Sequence, residues 1–413
     1  MIFDYADLGC AEVINSVRAA AYASAYCLPV ECDACPDLPD VLGHPPYTDP
    51  VTDDAPWYDP LVPESADVLG YMGLDAVGFR SSTIGRDPVQ LVGDGAALGV
   101  ARRSHRQIVY TLLLIVRDEC ALAYGLEWLA VALEGADCGG SCSGDTLTTY
   151  ACCPTGDGSY ERRYLYDVAL LEGPSVTAVE YLSDAILAKV TFTLAAGKPW
   201  VFREPLTSTT AWHNLAAGAS VVVDPDDVHE LCVETVDCLE DPDCPPPLLP
   251  TRPPSPVDDC YPTGPATFRR TLISIPPEDM YQWLETVPVL ELETGSSALR
   301  RLVVRFWANP TGGSCTESPD PCGFCGVIQI PYLPAGAVLR VDGRVQRAEV
   351  ECSPLPGSYA TSTPIVYGPQ GRAFEWPAFD CPSGLCIEIL STAATTAPDS
   401  RARVLLAARA DVG

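Results

Sequence analysis

Cysteine is the residue type with the widest chemical range in this chain, which holds 19 cysteines among 413 residues. A thiolate can act as a nucleophile, bind zinc or form a disulfide, and the surrounding sequence decides among these. Cys142 lies in the run from Gly140 to Gly144, which has the spacing of a nucleophile elbow. An elbow needs a strand before it and a helix after it, whereas here a helical pattern precedes and a Cys- and Pro-containing coil follows. This context favours a disulfide over catalysis.

Two Cys-x-x-Cys pairs, Cys32 with Cys35 and Cys322 with Cys325, have the spacing of half a zinc site. Cys315 and Cys352 could complete a four-cysteine set with the second pair, but the spacings match no standard zinc ribbon. Because most of these residues lie in coil rich in Pro, Gly and Asp, we favour disulfides over zinc. The disulfide candidates are Cys27, Cys32, Cys35, Cys138, Cys142, Cys152, Cys153, Cys244, Cys260, Cys315, Cys322, Cys325, Cys352, Cys381 and Cys386.

Other residue types give no recognisable catalytic or cofactor pattern. The four histidines (His44, His105, His213 and His229) lie far apart in the sequence. The acidic runs at 224–227 and 31–60 could bind calcium but lack the spacing of a calcium loop, so solvated acidic surface is the favoured interpretation. Glycine-rich phosphate loops, a His-Glu-x-x-His motif and a Ser/His/Asp grouping are also missing. We therefore predict no cofactor, no metal site and no enzymatic activity.

The net charge excludes several classes of partner. Lys and Arg total 25 against 55 Asp and Glu, giving a formal charge of −30. Such a chain is repelled by phosphate backbones and anionic membranes, so nucleic-acid binding is not expected. The sequence has no run of 18 apolar residues, so no membrane insertion is expected either. The many cysteines instead suit a soluble protein that is made inside a cell and used outside it.

Hydrophobic patterning predicts the elements that would position these residues. Residues 106–117 read as a buried strand, and residues 118–135 carry leucines at helical spacing. Further strands are predicted at 164–171, 175–181, 187–194, 290–293, 302–307, 338–341, 344–350, 365–367, 374–376, 387–390 and 404–408. A tight turn is predicted at Asp342-Gly343. The fold class is therefore mainly β, a β-sandwich or split barrel with one packed α-helix, followed by a second, C-terminal β-sandwich.

Composition predicts the domain boundaries. Residues 1–205 form one domain, interrupted near 31–60 by a Pro/Asp-rich stretch that we interpret as a surface excursion. Residues 206–265 are predicted to be an extended linker because ten prolines fall between 239 and 265. Residues 266–413 form the second sandwich.

Several short motifs in residues 1–205 resemble one family. Asn15, Arg18 and Tyr22 form an Asn-x-x-Arg-x-x-x-Tyr opening. The others are Trp57-Tyr-Asp-Pro60, Gly93-Asp-Gly95, the helix at 124–129, the Cys-rich coil at 138–153 and Gly197-Lys-Pro199. Together they resemble the N-terminal domain of distal tail and minor tail proteins of siphophages, particularly phages of high-GC Gram-positive hosts. Residues 328–343 are similar to the accessory sandwich domains of such proteins.

The resemblance implies a structural protein of the virion tail. It implies a self-assembled ring, hexameric in that family, which joins the tail tube to the host-facing tip. The implied partners are the tail tube protein, the tape measure protein and other minor tail proteins. Arg102, Arg103, Arg106 and Arg117 bracket the central strand, and we predict either that they meet the acidic surface of a neighbouring copy or that they are an ordinary solvated strand end.

Two other functions remain open from the sequence. The second domain could bind a host-surface glycan through Trp307, Tyr332 and Trp376, although these side chains fill cores equally well. A cell-wall-degrading enzyme would need paired acidic catalysts or a metal site, and the sequence suggests neither.

Overall fold

The described part of the chain falls into two compact units. The computed structural model describes residues 3–9, 11–28, 30, 38, 42–43, 46–135, 144–154, 160–206, 209, 211–223, 266–281, 283–309, 315, 324–351, 359–360, 365–368, 373–379 and 384–411. The first unit comprises Met1–Glu204 together with Arg409–Gly413, and the second comprises Pro205–Ala408. In chain order, the second unit is therefore inserted between Glu204 and Arg409.

In its described residues, the first unit consists of antiparallel strands and two α-helices. Its elements are β1 (Tyr5–Leu8), β2 (Ala11–Asn15), α1 (Ser16–Ala25), a 3-10 turn (Pro63–Asp67), β3 (Val68–Val77), β4 (Ile84–Gly85), β5 (Pro88–Gln90), β6 (Ala96–Leu98), β7 (Arg102–Arg103), β8 (Arg106–Val116), α2 (Glu119–Glu134), β9 (Asp145–Pro154), β10 (Tyr160–Tyr181), β11 (Ile186–Ala196) and β12 (Val201–Pro205). The main strands pair in the order β2-β1-β9-β10-β11-β8-β3, and β12 also pairs with β10. Strand β10 therefore pairs with β9 and β12 along its first half and with β11 along its second half.

Strand β8 and helix α2 form where the sequence predicts them. Alternate residues of β8 from Ile108 to Leu114 are fully buried, as period-two patterning requires. Asp118 caps α2 by accepting a hydrogen bond from the Ala121 amide at 2.8 Å. The buried face of α2 includes Leu129, and the Gly125 carbonyl accepts a hydrogen bond from the Tyr71 hydroxyl at 2.7 Å. Helix and sheet thus enclose one hydrophobic core.

Two features of the first unit differ from the sequence prediction. The separate strands expected at 164–171 and 175–181 are one strand, β10, whose register against β11 shifts at irregularities near Glu172 and Val176. These irregularities break the alternating pattern, which is why the sequence suggested two strands. The second helix, α1, was not part of the predicted fold class and begins at the capping residue Asn15.

The second unit contains two groups of antiparallel strands. Its strands are β13 (His213–Asn214), β14 (Ala219–Val223), β15 (Ala266–Ile275), β16 (Glu285–Glu293), β17 (Leu299–Ala308), β18 (Phe324–Leu333), β19 (Val338–Asp342), β20 (Arg347–Glu351), β21 (Tyr359–Ala360), β22 (Leu385–Thr392) and β23 (Arg401–Ala410), with a 3-10 turn at Pro277–Asp279. One sheet has the order β14-β15-β22-β17-β18, and the other group has β23-β16-β19-β20-β21. A hydrophobic core that includes Leu290, Phe306 and Ile387 lies within this unit. The fold is therefore mainly β, as predicted, and is consistent with β-sandwich domains.

Several predictions for this part of the chain are wrong in detail. The residues predicted as strands at 365–367 and 374–376 form no strand, and only an isolated bridge at Tyr367 lies in them. Strands β13 and β14 lie in residues 206–223, which we had predicted to be extended linker; β14 pairs with β15 and ends in three consecutive Val residues, Val221 to Val223. The turn after β19 spans residues 343–346 rather than two residues, since Asp342 pairs with Arg347. The Asp342 side chain accepts hydrogen bonds from Arg344, which stabilises the longer turn. The Pro-rich stretch itself, 239–265, lies outside the described residues.

Candidate assembly surface: the arm and its root

One long, interrupted hairpin, made of two short antiparallel ladders, connects the end of β3 to the start of β8. We call residues 78–105 the arm. Within it β4 pairs with β7, and β5 pairs with β6. The Arg86 guanidinium donates to the Gly99 carbonyl at 2.9 Å and ties the two sides of the arm together. The Gly93-Asp-Gly95 turn that we identified from the sequence lies at the tip, where Gly95 has φ of +100°.

Six large apolar side chains of the arm beyond its buried Phe79 face solvent. Val92 and Val100 are fully or almost fully exposed, at 111% and 81%, and Leu98 is 70% exposed. Ile84, Val89 and Leu91 are also exposed. Exposed apolar residues that cluster in one segment mark an interaction site more often than residues scattered singly. The arm therefore carries the features of a docking element.

The charge of the arm is opposite to that of the whole chain. It contains four arginines and two aspartates, a net charge of +2, whereas the full chain carries −30. An acidic surface with an apolar patch would complement it. We did not predict an interface at these apolar residues, although two short Val- and Leu-containing runs around a Gly-Asp-Gly turn are the signal of a hairpin.

Arg106 fixes the root of the arm. Its side chain is only 1% exposed, and its guanidinium donates to the carbonyls of Gly78 at 2.5 Å, Ser81 at 2.9 Å and Pro199 at 2.9 Å. Gly78 has φ of +115°, and a Cβ there would lie 2.1 Å from the Gln107 carbonyl oxygen, so the chain needs glycine at this bend. Because Arg106 is buried and bonded within its own chain, it does not suit the intersubunit role that we predicted for it.

The other three predicted arginines do not gather at one surface. Arg102 and Arg103 are exposed on the arm, and the Arg103 guanidinium stacks 4.1 Å from the centre of the Trp200 ring. Arg117 follows the far end of β8, about 35 Å from Arg106 along the strand. There it pairs with Asp67 at 2.9 Å and stacks on Tyr26. Arg102 and Arg103 remain candidates for an interface with a neighbouring copy.

The opening motif at Asn15, Arg18 and Tyr22 forms a network of contacts with the acidic stretch at 31–60. Asn15 caps α1 by accepting from the Arg18 amide at 3.0 Å and donates to the Tyr47 hydroxyl at 3.1 Å. The Tyr22 hydroxyl donates to Asp53 at 2.9 Å. Tyr47 and Asp53 therefore tie the described part of this stretch, residues 46–60, to α1 and to its capping residue, while many of its other residues are exposed.

Trp57 anchors the same stretch in the core. Its indole is 2% exposed and donates to the Val68 carbonyl at 2.8 Å. Its ring packs edge-on against Tyr71 and Trp128. The burial of Trp57 could not be predicted from the composition of the stretch, because a few aromatic residues among many Asp and Pro residues suffice to anchor a segment in a core.

The predicted glycan platform is not assembled as expected. Trp307 is 4% exposed and packs edge-on against Phe324, so it belongs to the interior of the second unit. Trp376 is half-buried against Phe374. Of the three predicted residues, Tyr332 is exposed, and its ring lies beneath the Arg300 guanidinium.

A buried charged cluster in the second unit was not anticipated from the sequence. Glu388 on β22 lies 3.2 Å from Arg305 on β17 and 3.2 Å from Arg270 on β15. Glu388 and Arg305 are buried within the central strands of the sheet. In the sequence these residues resemble the ordinary polar positions of alternating strands, so only the cross-strand register reveals the cluster.

The structure describes few of the predicted disulfide cysteines. Cys315 and Cys386 form a disulfide, and Cys315 is therefore not available for the alternative zinc set. Cys27 is an exposed free thiol, contrary to our prediction, and Cys325 is not in a disulfide. The remaining candidates lie outside the described residues or side chains; they are Cys32, Cys35, Cys138, Cys142, Cys152, Cys153, Cys244, Cys260, Cys322, Cys352 and Cys381.

Other candidate chemistry can be placed only in part. His105 lies at the arm root beside Gln107, and His213 is on β13. His44, His229 and residues 224–227 are outside the described ranges. Among described residues, no cluster of three or more His, Cys, Asp or Glu side chains is arranged to hold a metal ion. Within the same ranges, no helix has the length and apolar character needed to cross a bilayer.

Comparison with solved structures gives matches to phage tail proteins. The chain is similar in fold to phage distal tail and baseplate proteins. One match is the Dit protein of phage SPP1, described as a hub of the adsorption apparatus in phages that infect Gram-positive bacteria, with 12% identity and a TM-score of 0.30 over 78% of this chain and 92% of that chain. The phage P2 baseplate, activated with Ca, matches with 10% identity and a TM-score of 0.36 over 83% and 92%. Its Sr form matches with 11% identity and a TM-score of 0.37 over the same shares.

Neither protein-family models nor curated proteins match the chain.

Proposed function

We propose that this protein is a structural subunit of the tail tip of a tailed phage. In this proposal copies of the chain assemble into a ring, which we take to be hexameric, and the ring joins the tail tube to the host-facing tip. The tail tube protein, the tape measure protein and other minor tail proteins are the proposed neighbours. Because the proposed function is assembly, the functional residues are those on contact surfaces and not those of a catalytic centre.

The arm is the observation that carries this proposal. Burying one Val or Leu side chain contributes about 1.5–3 kcal/mol, so six exposed apolar residues on one segment are a large unused source of binding free energy. The net charge of +2 on the arm favours contact with the acidic remainder of a second copy. Both properties fit self-association.

The opening motif gives further support. Asn15, Arg18 and Tyr22, which resemble the opening of minor tail proteins, are held in contact with one another and with the acidic stretch. Residues that give a resemblance by sequence and also form one physical cluster are more informative than scattered matches.

Mass measurement by light scattering tests the proposal. We would compare the full-length protein with the arm variant Leu91→Asp/Leu98→Asp over a concentration series at near-physiological salt. Leu61→Asp is the matched control, since Leu61 is 88% exposed and lies outside the arm. We expect the wild type and the control to rise stepwise toward a hexamer and the arm variant to stay monomeric. A wild type that remains monomeric at all concentrations would overturn self-assembly, and association unaffected by the arm substitutions would overturn the role of the arm.

A further inference from the structure

The root of the arm contains a pocket lined by several hydroxyl groups and by the guanidinium group of Arg106. Its lining includes Ser82, Thr83, Ser104 and Arg106. Hydroxyl donors next to arginines form a site suited to a carboxylate or another small anion. None of the six exposed apolar residues of the arm lines this pocket.

The carboxylate of Asp411 lies beside this pocket and contacts three of the residues that line it, Ser82, Thr83 and Arg106. It accepts hydrogen bonds from the Ser82 hydroxyl, from the Thr83 hydroxyl at 2.9 Å and from the Thr83 amide at 3.3 Å. The guanidinium groups of Arg103 and Arg106 lie 3.9 Å and 3.8 Å from the same carboxylate. The site therefore surrounds one carboxylate with three hydrogen-bond donors and two positive charges.

Neighbouring contacts hold the same segment in place. The Asp411 carbonyl accepts a hydrogen bond from the buried Arg106 guanidinium. The Trp200 ring lies between two guanidinium groups, with Arg103 at 4.1 Å and Arg409 at 4.2 Å from its centre. Cation–π contacts of this kind add to the hydrogen bonds without needing a buried charge. Residues 409–411, which we call the clasp, are thus held through both side chain and backbone.

We propose that Ser82, Thr83, Arg103 and Arg106 form a carboxylate-binding site whose ligand is Asp411 of the same chain, and that occupancy of this site holds the arm in one orientation. Every contact of the site is made by the arm root, residues 82–83 and 103–106, on one side and by the clasp on the other. Arg106 also binds the carbonyls of Gly78 and Ser81, so it joins the clasp to the bend at which the arm begins.

The ionisation of Asp411 agrees with this geometry. Burial alone would raise its pKa, but hydrogen bonds from Ser82 and Thr83 and the charge of Arg103 lower the pKa below the usual 3.8. The clasp carboxylate is therefore charged near neutral pH, and the site favours that charged form.

The role of the clasp in assembly rests on the proposed function, but the existence of the clasp does not. An arm held in one orientation loses less conformational freedom when it meets a partner, which improves binding without any new contact. If the clasp is opened, we expect a more mobile arm in every case and weaker self-association only where the assembly proposal holds.

Hydrogen–deuterium exchange of the full-length protein tests the clasp. Asp411→Asn removes the charge and keeps the size, and Asp94→Asn at the exposed arm tip is the matched control. The diagnostic amide is that of Ser104, which bonds to the Thr83 carbonyl at 3.2 Å across the arm root. We expect its exchange to rise by about tenfold or more in Asp411→Asn, because a charge-assisted hydrogen bond is among the stronger ones, and to stay unchanged in Asp94→Asn.

Amides of β8 and β11 serve as the internal reference for folding. If Asp411→Asn also loses protection there, the milder variant Thr83→Ala replaces it, with the same expectation for Ser104. Equal exchange at Ser104 in the wild type and in the clasp variant, with β8 and β11 protected in both, would overturn the proposal. Light scattering on the same samples reports assembly separately, so a failure of the clasp and a failure of the ring are distinguishable.

Discussion

The guanidinium group of Arg18 lies 2.9 Å from the carboxylate of Glu12, and both side chains are about nine-tenths buried. Arg18 also lies 4.6 Å from the centre of the Tyr47 ring, and Asn15 donates to the second oxygen of Glu12. One buried ion pair therefore links β2, α1 and the acidic stretch. Removing only one partner of such a buried pair is strongly destabilising, because it leaves the other charge buried without compensation.

Arg18→Met should destabilise the first unit strongly, because it leaves the Glu12 carboxylate buried without its counter-charge. We expect a loss of about 3–5 kcal/mol in the free energy of unfolding. Arg117→Met is the matched control: its ion pair with Asp67 is exposed, and its removal should cost about 1 kcal/mol or less. Urea denaturation followed by Trp fluorescence measures both variants. Equal losses would mean that the Arg18 pair contributes no more than a surface pair.

The same reasoning applies to the second unit, where Glu388 lies between Arg270 and Arg305. Glu388→Gln should leave the two buried guanidinium groups without a negative charge to neutralise them. We expect the free energy of unfolding to fall by about 3 kcal/mol or more. The control is Glu293→Gln, since Glu293 forms an exposed two-bond pair with Arg401, at 2.7 and 2.8 Å. Hydrogen exchange in β15, β17 and β22 assigns the change to this unit. Unaltered exchange in those strands would contradict a stabilising role for the cluster.

The stability of the first unit should fall as the pH rises between about 4 and 6. Burial, together with the facing Glu12, raises the pKa of Asp7 from 3.8 to about 6, while Arg162 opposes the shift. The folded state therefore binds this proton more tightly than the unfolded state does, and that advantage disappears as Asp7 ionises. Asp7→Asn should match the wild type below pH 4 and be the more stable protein above pH 6. Urea midpoints of both proteins across this range test it, and a difference independent of pH would refute the assignment to Asp7.

The disulfide between Cys315 and Cys386 closes a long loop, with the two residues 71 positions apart. Replacing both cysteines with Ser should lower the stability of the second unit by about 4 kcal/mol if the constraint acts on the unfolded chain. Cys120→Ser is the control, because Cys120 is an exposed free thiol on α2. Calorimetry compares the two variants under oxidising conditions. A double variant as stable as the wild type under these conditions would contradict a stabilising role for this disulfide.

The sequence predicted the regular elements well and the contacts between distant segments poorly. The strand at 106–117 and the helix at 118–135 were predictable because local patterning determines which face is buried. The partners of Arg106 were not, because they are backbone carbonyls of residues 78–81 and 199 and the segment at 411, which only the folded chain brings together. Likewise, the basic cluster around β8 was visible in the sequence, but the different positions of its members depend on the strand geometry. Arg106 is buried at the arm root, Arg102 and Arg103 lie on the arm, and Arg117 pairs with Asp67 at the far end of the strand.

Charge reversal on the arm tests how it recognises a partner. Arg80→Glu/Arg102→Glu changes the net charge of the arm from +2 to −2, whereas Asp94→Lys raises it to +4. If the partner is an acidic surface of a second copy, the first variant should weaken self-association on the order of tenfold or more at low ionic strength, and the second should strengthen it. Both effects should shrink as salt is raised from about 50 mM to about 500 mM, since screening acts on exposed charges.

Light scattering at both salt concentrations gives the midpoint concentration for association of each variant. The two variants carry opposite changes at exposed positions of the same segment, so a general loss of stability would weaken both and could not produce opposite shifts. Opposite shifts that fade with salt require an acidic partner surface. Shifts in the same direction, or shifts insensitive to salt, would mean that the apolar residues of the arm act without electrostatic guidance, and the partner surface should then be sought among the uncharged patches of the chain.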